Sequence, residues 1–191
     1  MAVKFELDWN KALAAITYIA SRDVPELSKG KMCKLVFLTD KYHLVRFGRP
    51  VTGDCYYAIP NGPIPSAILK RLDALEEREK DNGLTGVLEL DRAYQYPRIS
   101  AEHPVEMDNL SESDVSALER TLRLFGKMGF AELSAITHAM PAYSKAWERR
   151  GGAKSFPMVF EDFFEEDDEA VVGVLEEVIE NDLLIKVFAA K

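Results

Sequence analysis

The stretch from Gly30 to Phe47, which reads GKMCKLVFLTDKYHLVRF, constrains the fold more than any other part of the sequence. Written as a helix, it places apolar side chains around most of the circumference, and these are Met32, Leu35, Val36, Phe37, Leu38, Tyr42, Leu44 and Val45. A helix that is apolar nearly all round packs against neighbours on several sides. Gly48 and Pro50 favour an end after Phe47. We therefore predict a central helix over residues 30–47, surrounded by other helices.

Apolar residues at helical spacing predict the elements that surround this central helix. The predicted helices cover residues 9–21, 65–78, 111–126, 130–140, 143–149 and 168–180. Asp8 suits the N-cap of the first, and Ser111 with Asp114 comes close to a capping box before the fourth. The conformation of residues 182–191 is left open. Helices shorter than about 15 residues are marginal alone in water, so their apolar stripes must meet in one core.

Two short segments read as β-structure. Residues 55–59 are rich in aromatic side chains and predict a strand, which the sequence PNGP at residues 60–63 ends in a turn. Residues 87–90 and 94–99 alternate enough to predict a hairpin. Together these strands are expected to make one small sheet.

The charge is distributed unevenly along the 191 residues. The net charge is −8 overall, with −9 over residues 155–191 and +1 over residues 1–154. We expect residues 1–154 to form a single helical domain of mainly α (α+β) class, with a small antiparallel β element between the third and fourth helices. Residues 155–191 are expected to form an acidic C-terminal arm, packed on that domain or extending it.

Composition excludes several classes of protein. Apolar residues make up 47% of the chain and charged residues 29%, which is typical of a soluble globular protein and not of a disordered one. No apolar run approaches the roughly 18 residues of a membrane span, and the N-terminus lacks the apolar segment of a secretory signal. We therefore expect a cytoplasmic protein without a membrane partner. Two cysteines, Cys33 and Cys55, are too few for a disulfide framework or a zinc cluster.

Three histidines, His43, His103 and His138, are the first candidates for chemistry. Asp40 and His43 share a helix face at a spacing of three residues, which suits a metal or acid–base pair and equally suits a buried polar pair that anchors a neighbouring turn. We favour the anchoring role. Cys55 with a histidine would make a thiol nucleophile, but nothing in the sequence orients such a pair. No metal, cofactor or catalytic residue is therefore expected.

The pair of short helices over residues 130–149 has the outline of a helix–turn–helix. Its second helix carries Lys145, Arg149 and Arg150. We favour an intramolecular role, because Trp147 is expected to pack inward and basic residues at a helix end suit the helix dipole. No nucleic-acid partner is expected.

The arm begins with FPMVFEDFFEEDDE, which mixes apolar rings with carboxylates. Such a segment is either a packed arm with a wet outer face or an interaction strip for a basic partner. The candidate strip consists of Phe160, Phe163, Phe164, Glu165, Glu166, Asp167 and Asp168.

A series of motifs extends in order along most of residues 5–150. The first block carries D-x-Y-H-L, F-G-R-P-V-T-G-D and G-P-I-P, and LSESDVSALERTL and LSAITHAMPAYSKAW follow later. These motifs resemble the Panacea domain, also called the SocA-like antitoxin domain. The motif residues, with a structural or partner-contact role, are Asp40, Tyr42, His43, Gly53, Asp54, Tyr57, Pro60, Gly62, Pro63, His138 and Trp147.

The resemblance implies a bacterial or phage antitoxin of largely helical fold that neutralises its cognate protein toxin by direct binding, with no enzymatic activity. A second hypothesis is a proteolytic adaptor that delivers a toxin to a protease, with a protease or chaperone as a further partner. A third, from another class, is a small metal-dependent hydrolase that uses His43 or His138. The oligomeric state is open.

Overall fold

The central helix is present and buried on all sides. The structure is a computed structural model that describes residues 3–80 and 82–164. Helix α2, Lys29–Phe47, contacts four other helices of the domain and has buried side chains around its whole circumference between Lys31 and His43. The Ser28 hydroxyl accepts a hydrogen bond from the Lys31 amide at its N-terminus, and Gly48 ends it. The prediction of a central helix is therefore confirmed.

Five further helices surround α2 in the described residues. They are α1 Trp9–Ala20, α3 Ser66–Glu76, α4 Glu112–Phe125, α5 Phe130–His138 and α6 Pro141–Arg149, with 3-10 turns at Met107–Asn109 and Phe160–Phe163. The Asp8 side chain caps α1, and Ser111 and Asp114 form a full capping box on α4. Pro141 opens α6 as well as following α5, since proline suits the first position of a helix.

The β-structure forms two separate sheets, which corrects the expectation of one element between the third and fourth helices. Strands β1 Tyr56–Ile59 and β2 Gly62–Pro65 form an antiparallel hairpin before α3, and β5 Phe156–Pro157 completes it in the order β2-β1-β5. Strands β3 Leu88–Asp91 and β4 Arg98–Ala101 form a second hairpin after α3. Residues 62–65, which were expected to belong to a turn and to the start of a helix, form strand β2. The prolines of β2 are tolerated because β2 is an edge strand, where a missing amide donor costs no ladder hydrogen bond.

The described part of the arm packs on the helical domain. Phe160, Phe163 and Phe164 are all buried, and the Phe163 ring lies 5.4 Å from that of Phe37 on α2. The Arg149 guanidinium on α6 is 2.6 Å from the Asp162 carboxylate. These rings therefore belong to the core, as in the packed-arm alternative, and do not form an exposed strip. The strip's acidic residues 165–168, the predicted helix over 168–180 and residues 182–191 lie outside the described residues.

No helix in the described residues is long and apolar enough to span a membrane.

Candidate functional site

Asp40 fastens the central helix to the loop that follows it. One carboxylate oxygen accepts hydrogen bonds from the amides of Val51 and Thr52 at 2.9 and 3.0 Å. The other accepts from the Thr52 hydroxyl at 2.5 Å and the Tyr56 hydroxyl at 2.8 Å. Burial raises the pKa of Asp40 to about 6, against the opposite effect of these hydrogen bonds. The expected anchoring of a turn by Asp40 is confirmed, and no acceptor site is left over for a ligand.

The end of the same loop is fixed by Gly53 and Asp54. Gly53 has φ +71°, and a Cβ at this position would lie 2.2 Å from the Glu6 carbonyl oxygen. The buried Asp54 carboxylate accepts hydrogen bonds from the amides of Ala67 and Ile68 at 3.0 and 2.9 Å, at the start of α3. Burial raises the pKa of Asp54, and the backbone hydrogen bonds lower it. These motif residues therefore position one helix, α3, against another, α2.

His43 is buried and hydrogen-bonded through both ring nitrogens. Nδ1 lies 2.6 Å from the Arg49 carbonyl oxygen, which only accepts, so Nδ1 carries the proton. Nε2 lies 3.0 Å from the Ser113 hydroxyl, which donates to it in the neutral ring. Burial lowers the pKa of His43, against the opposite effects of the Arg49 carbonyl hydrogen bond and of the Asp114 carboxylate, whose Oδ1 lies 3.2 Å from Nε2. The ring thus joins α2, the following loop and α4, rather than pairing with Asp40.

Asp114, a buried carboxylate beside His43, is a charge centre that the sequence pattern did not reveal. Lys11 Nζ and Arg49 Nη2 lie 2.8 and 2.9 Å from the Asp114 oxygens. Burial alone would raise the pKa of Asp114, but hydrogen bonds from Lys11 and Ser111 and the charge of Arg49 lower it to about 2. The capping box signalled Asp114 locally. Its cationic partners come from distant positions that no local pattern connects.

The β1–β2 turn covers a buried lysine. Lys34 on α2 is 1% exposed, and its ammonium donates to the Pro63 carbonyl oxygen at 3.0 Å. Burial lowers the pKa of Lys34 to about 8. Gly62 has φ +99°, and a Cβ there would lie 2.5 Å from Lys34 Nζ and 3.0 Å from His138 Nε2. Only glycine lets the turn approach these two side chains so closely.

An aromatic stack lies next to this turn. The His138 ring stacks on Tyr143 with centroids 4.4 Å apart, Tyr143 stacks on Trp147 at 5.8 Å, and the Arg150 guanidinium lies 3.9 Å from the Trp147 ring. The Tyr143 hydroxyl donates to the Ile59 carbonyl oxygen at 3.0 Å. His138 Nε2 is buried without a hydrogen-bond partner among the described residues. Burial and the Lys34 charge lower the pKa of His138, and a hydrogen bond to the Asn61 backbone raises it.

All the motif residues except Tyr42 and Tyr57 fall into two groups. Asp40, His43, Gly53 and Asp54 are buried and hold elements together. A second group, which we call the hairpin face, combines the exposed turn residues Pro60 and Asn61 with Gly62, Pro63 and the half-buried His138 and Trp147. Sequence spacing did not bring these together, since β2 was not predicted.

The remaining candidates lie apart from both groups. Tyr42 is half-buried with the Arg120 guanidinium 4.4 Å from its ring, and Tyr57 is half-buried in β1. Cys55 and His103 are exposed, and Cys33 is buried, which raises its pKa to about 12. In residues 3–80 and 82–164, no group of three or more His, Cys, Asp or Glu is arranged to hold a metal ion.

The α5–α6 pair holds its basic residues within the molecule. Arg149 pairs with Asp162, and Arg150 donates to the Trp147 carbonyl oxygen at 2.5 Å while it covers the Trp147 ring. Trp147 is half-buried beside Tyr143. These contacts agree with the intramolecular role that we favoured for this pair.

Comparison with known proteins gives one match. The family model described as "Antitoxin SocA-like, Panacea domain" matches residues 32–144, which include the buried anchors and the whole hairpin face except Trp147. No curated protein and no solved structure matches the chain.

Proposed function

The chain belongs to the family of SocA-like antitoxins with a Panacea domain, and we propose that it is the antitoxin of a bacterial or phage toxin–antitoxin pair that neutralises its toxin by direct protein–protein binding. The match of the family model over residues 32–144 carries this proposal.

We further propose that the protein works by binding and has no catalytic centre of its own. This proposal is supported by the structural roles of the buried titratable groups. Asp40, Asp54 and Asp114 accept hydrogen bonds that hold loops and helices in place, and His43 is bonded through both ring nitrogens. A general acid or base needs a free position towards a substrate, and these groups are occupied by their own fold.

The hairpin face is the toxin-contact surface that we propose. It gathers motif residues from the β1–β2 turn, β2, α5 and α6, and it presents the exposed turn at Pro60 and Asn61 beside half-buried aromatic rings. Aromatic side chains in a rigid frame are typical anchors of protein interfaces, because they bury much area at little cost in conformational entropy.

The acidic arm would add electrostatic steering. Residues 155–191 carry a net charge of −9. Many toxins that act on nucleic acids have basic surfaces, and opposite charge accelerates association at low salt. Replacement of the five acidic residues 165–169 by Ser should slow association with the toxin at low ionic strength. An unchanged association rate would remove the arm from the proposal.

The test of the function is co-expression with the product of the adjacent gene. We expect the neighbouring protein to arrest growth, this chain to restore growth, and the two purified proteins to form a complex of defined stoichiometry. Neutralisation should require about one equivalent of this chain. Neutralisation by far less than one equivalent would contradict direct binding and favour an enzyme, and a toxin half-life that falls in its presence would favour the adaptor.

A substitution in the hairpin face tests whether this surface contacts the toxin. Asn61→Arg places a long charged side chain on the exposed tip of the β1–β2 turn and should weaken the complex at least about tenfold. Ser116→Arg, at an exposed position of α4, is the matched control and should bind normally. If Asn61→Arg also binds normally, the hairpin face is not the contact.

A further inference from the structure

A second surface lies at the opposite end of α2 from the loop that follows this helix. A cavity of about 260 Å³ opens between the β3–β4 loop and the N-terminal ends of α2 and α5. We call it the tyrosine groove, and its main lining residues are Ser28, Lys31, Tyr94, Tyr96, Arg98 and Phe130. None of the motif residues of the family resemblance lines it.

The walls of the groove are aromatic and unusually exposed. Tyr96 is 70% exposed, Tyr94 44% and Phe130 41%. The Arg98 guanidinium lies 3.4 Å from the Tyr94 ring centroid, and the Phe130 ring packs so closely on Gly30 that a Cβ there would lie 2.8 Å from it. Two of the rings are therefore held in place before any partner arrives. Clustered exposed rings with a rigid setting are typical of an interaction site.

The floor of the groove is positively charged. Lys31 is 2% exposed, and in the described residues its ammonium has one hydrogen bond, to the Pro25 carbonyl oxygen at 2.7 Å. An ammonium has three donors, so two remain for a partner. The N-terminal end of α2, capped by Ser28, meets the groove and adds its partial positive charge, whereas at the N-terminal end of α5 the Glu132 carboxylate accepts a hydrogen bond from the Gly129 amide.

The acidic residue of the groove does not cancel this charge. Glu26 is the one carboxylate among the residues that line the cavity in the described part of the chain, and Arg98 lies 3.2 Å from it. Glu26 and Glu132 attract the Lys31 ammonium electrostatically, but no carboxylate among the described residues is hydrogen-bonded to it. A carboxylate brought by another molecule would pair with it in a site where burial strengthens the attraction.

We propose that the tyrosine groove binds an acidic segment of the toxin, with one carboxylate on the Lys31 ammonium and a neighbouring apolar side chain between the Tyr96 and Phe130 rings. This rests on the proposed antitoxin function and names a second contact besides the hairpin face. The groove would thus bind an acidic part of the toxin, whereas the acidic arm is expected to attract a basic part.

The experiment compares three variants in their affinity for the purified toxin. Tyr96→Ala removes the most exposed ring, and Lys31→Met removes the ammonium but keeps the length of the side chain. Each should raise the Kd at least about tenfold. Phe47→Ala is the matched control, because Phe47 is also 44% exposed but lies at the other end of α2, about 24 Å away along the helix. It should bind within about twofold of the wild type.

The salt dependence separates charge from packing. Raising the salt should weaken binding of the wild type and of Tyr96→Ala by the same factor, and that of Lys31→Met by a smaller one. If Lys31→Met does not fold, the affinity of Tyr96→Ala alone tests the groove. Tyr96 is 70% exposed, so its truncation should leave the fold intact.

The outcomes distinguish this proposal from the one on which it rests. A wild type that binds toxin while Tyr96→Ala and Lys31→Met bind equally well overturns the groove and leaves the antitoxin function intact. A wild type that binds no toxin overturns both. Equal losses in all three variants would also overturn the acidic segment as occupant.

Discussion

A single buried carboxylate, Asp40, holds the loop after α2 in place, and its removal should be costly. Asp40→Ala would leave the Val51 and Thr52 amides and the Tyr56 hydroxyl buried without their acceptor. Each such group costs about 1–3 kcal/mol, so we expect a loss of at least about 3 kcal/mol in the free energy of unfolding. Urea denaturation measures it.

Asp40→Asn is the matched control for this change. Its side-chain oxygen can still accept from the two amides, and its NH2 group can donate to the Thr52 and Tyr56 hydroxyls once these rotate. We expect it to cost about 1–2 kcal/mol. Equal losses in the two variants would show that the negative charge, and not the acceptor geometry, matters at this position.

Because Lys34 is buried, it should make the free energy of unfolding rise with pH. A lysine in an ordinary ion pair has the opposite effect. Its pKa falls from 10.5 to about 8 on folding, because burial disfavours the ammonium. Between these values the unfolded chain binds more protons than the folded one, so this group makes stability rise as the pH rises from about 8 to 10.5. Below pH 8 the full penalty, about 3 kcal/mol, is present.

Lys34→Met should remove that penalty at the loss of one hydrogen bond to Pro63, worth about 1 kcal/mol. We expect the variant to be more stable than the wild type by about 1–2 kcal/mol at pH 7, and the difference to shrink towards pH 10. Thermal unfolding at several pH values measures it, with Lys70→Met on the exposed face of α3 as the control for a lost charge. A difference that is constant with pH would contradict the assignment.

The individual residues show how far the sequence alone could reach. The spacing of Asp40 and His43 on one helix, with glycines and prolines just after it, was enough to predict that they anchor a turn, and both do. Nothing in the local sequence marks Lys34 as buried, because the hairpin and α5 that cover it come from later parts of the chain. Burial of a charge is decided by tertiary contacts, and these join residues far apart in the sequence.

At the level of elements, the loop from α2 to β1 depends on a close approach of two backbone segments at Gly53. Its φ is +71°, and a Cβ would lie 2.2 Å from the Glu6 carbonyl oxygen. Gly86 has φ +80° and open space around its Cβ position, so it is a matched control with the same backbone demand. Gly86→Ala should cost about 1–2 kcal/mol, the strain of an alanine in this conformation.

Gly53→Ala should cost this strain and, in addition, the displacement of the N-terminal segment, which is bonded to the loop by the Asp8 amide and the Thr52 carbonyl oxygen at 3.0 Å. We expect it to be the more destabilising of the two by at least about 2 kcal/mol in urea denaturation. Similar losses would show that the segment before α1 moves aside freely.

Helices and strands differed in how well periodicity predicted them. All the helices predicted between residues 9 and 149 are present, because each buries one stripe, or for α2 the whole surface, in the same core. The first hairpin was half missed. Its second strand, Gly62–Pro65, has a composition typical of a turn. The strand that completes the sheet, Phe156–Pro157, lies 98–100 residues after the β1 residues with which it pairs, in the predicted arm. Strand pairing depends on that distant partner, and local alternation does not reveal it.

For the whole molecule, the arm combines a structural and an electrostatic role that two shortened chains can separate. Residues 155–164 contribute three buried phenylalanines and the β5 strand, whereas residues 165–191 carry a net charge of −7. A chain that ends at residue 164 keeps every contact described above. A chain that ends at residue 154 loses three buried rings, each worth about 1.5–3 kcal/mol.

We therefore expect the chain of 154 residues to lose at least about 5 kcal/mol relative to the chain of 164 residues, which is comparable to the whole stability of a small domain. The chain of 164 residues should remain folded and bind the toxin with a slower association at low salt and an unchanged dissociation rate, because steering acts on the encounter. Urea denaturation and surface-immobilised binding kinetics measure these two effects. A stable chain of 154 residues would contradict the structural role of the arm, and a faster dissociation from the chain of 164 residues would place part of the toxin contact beyond residue 164.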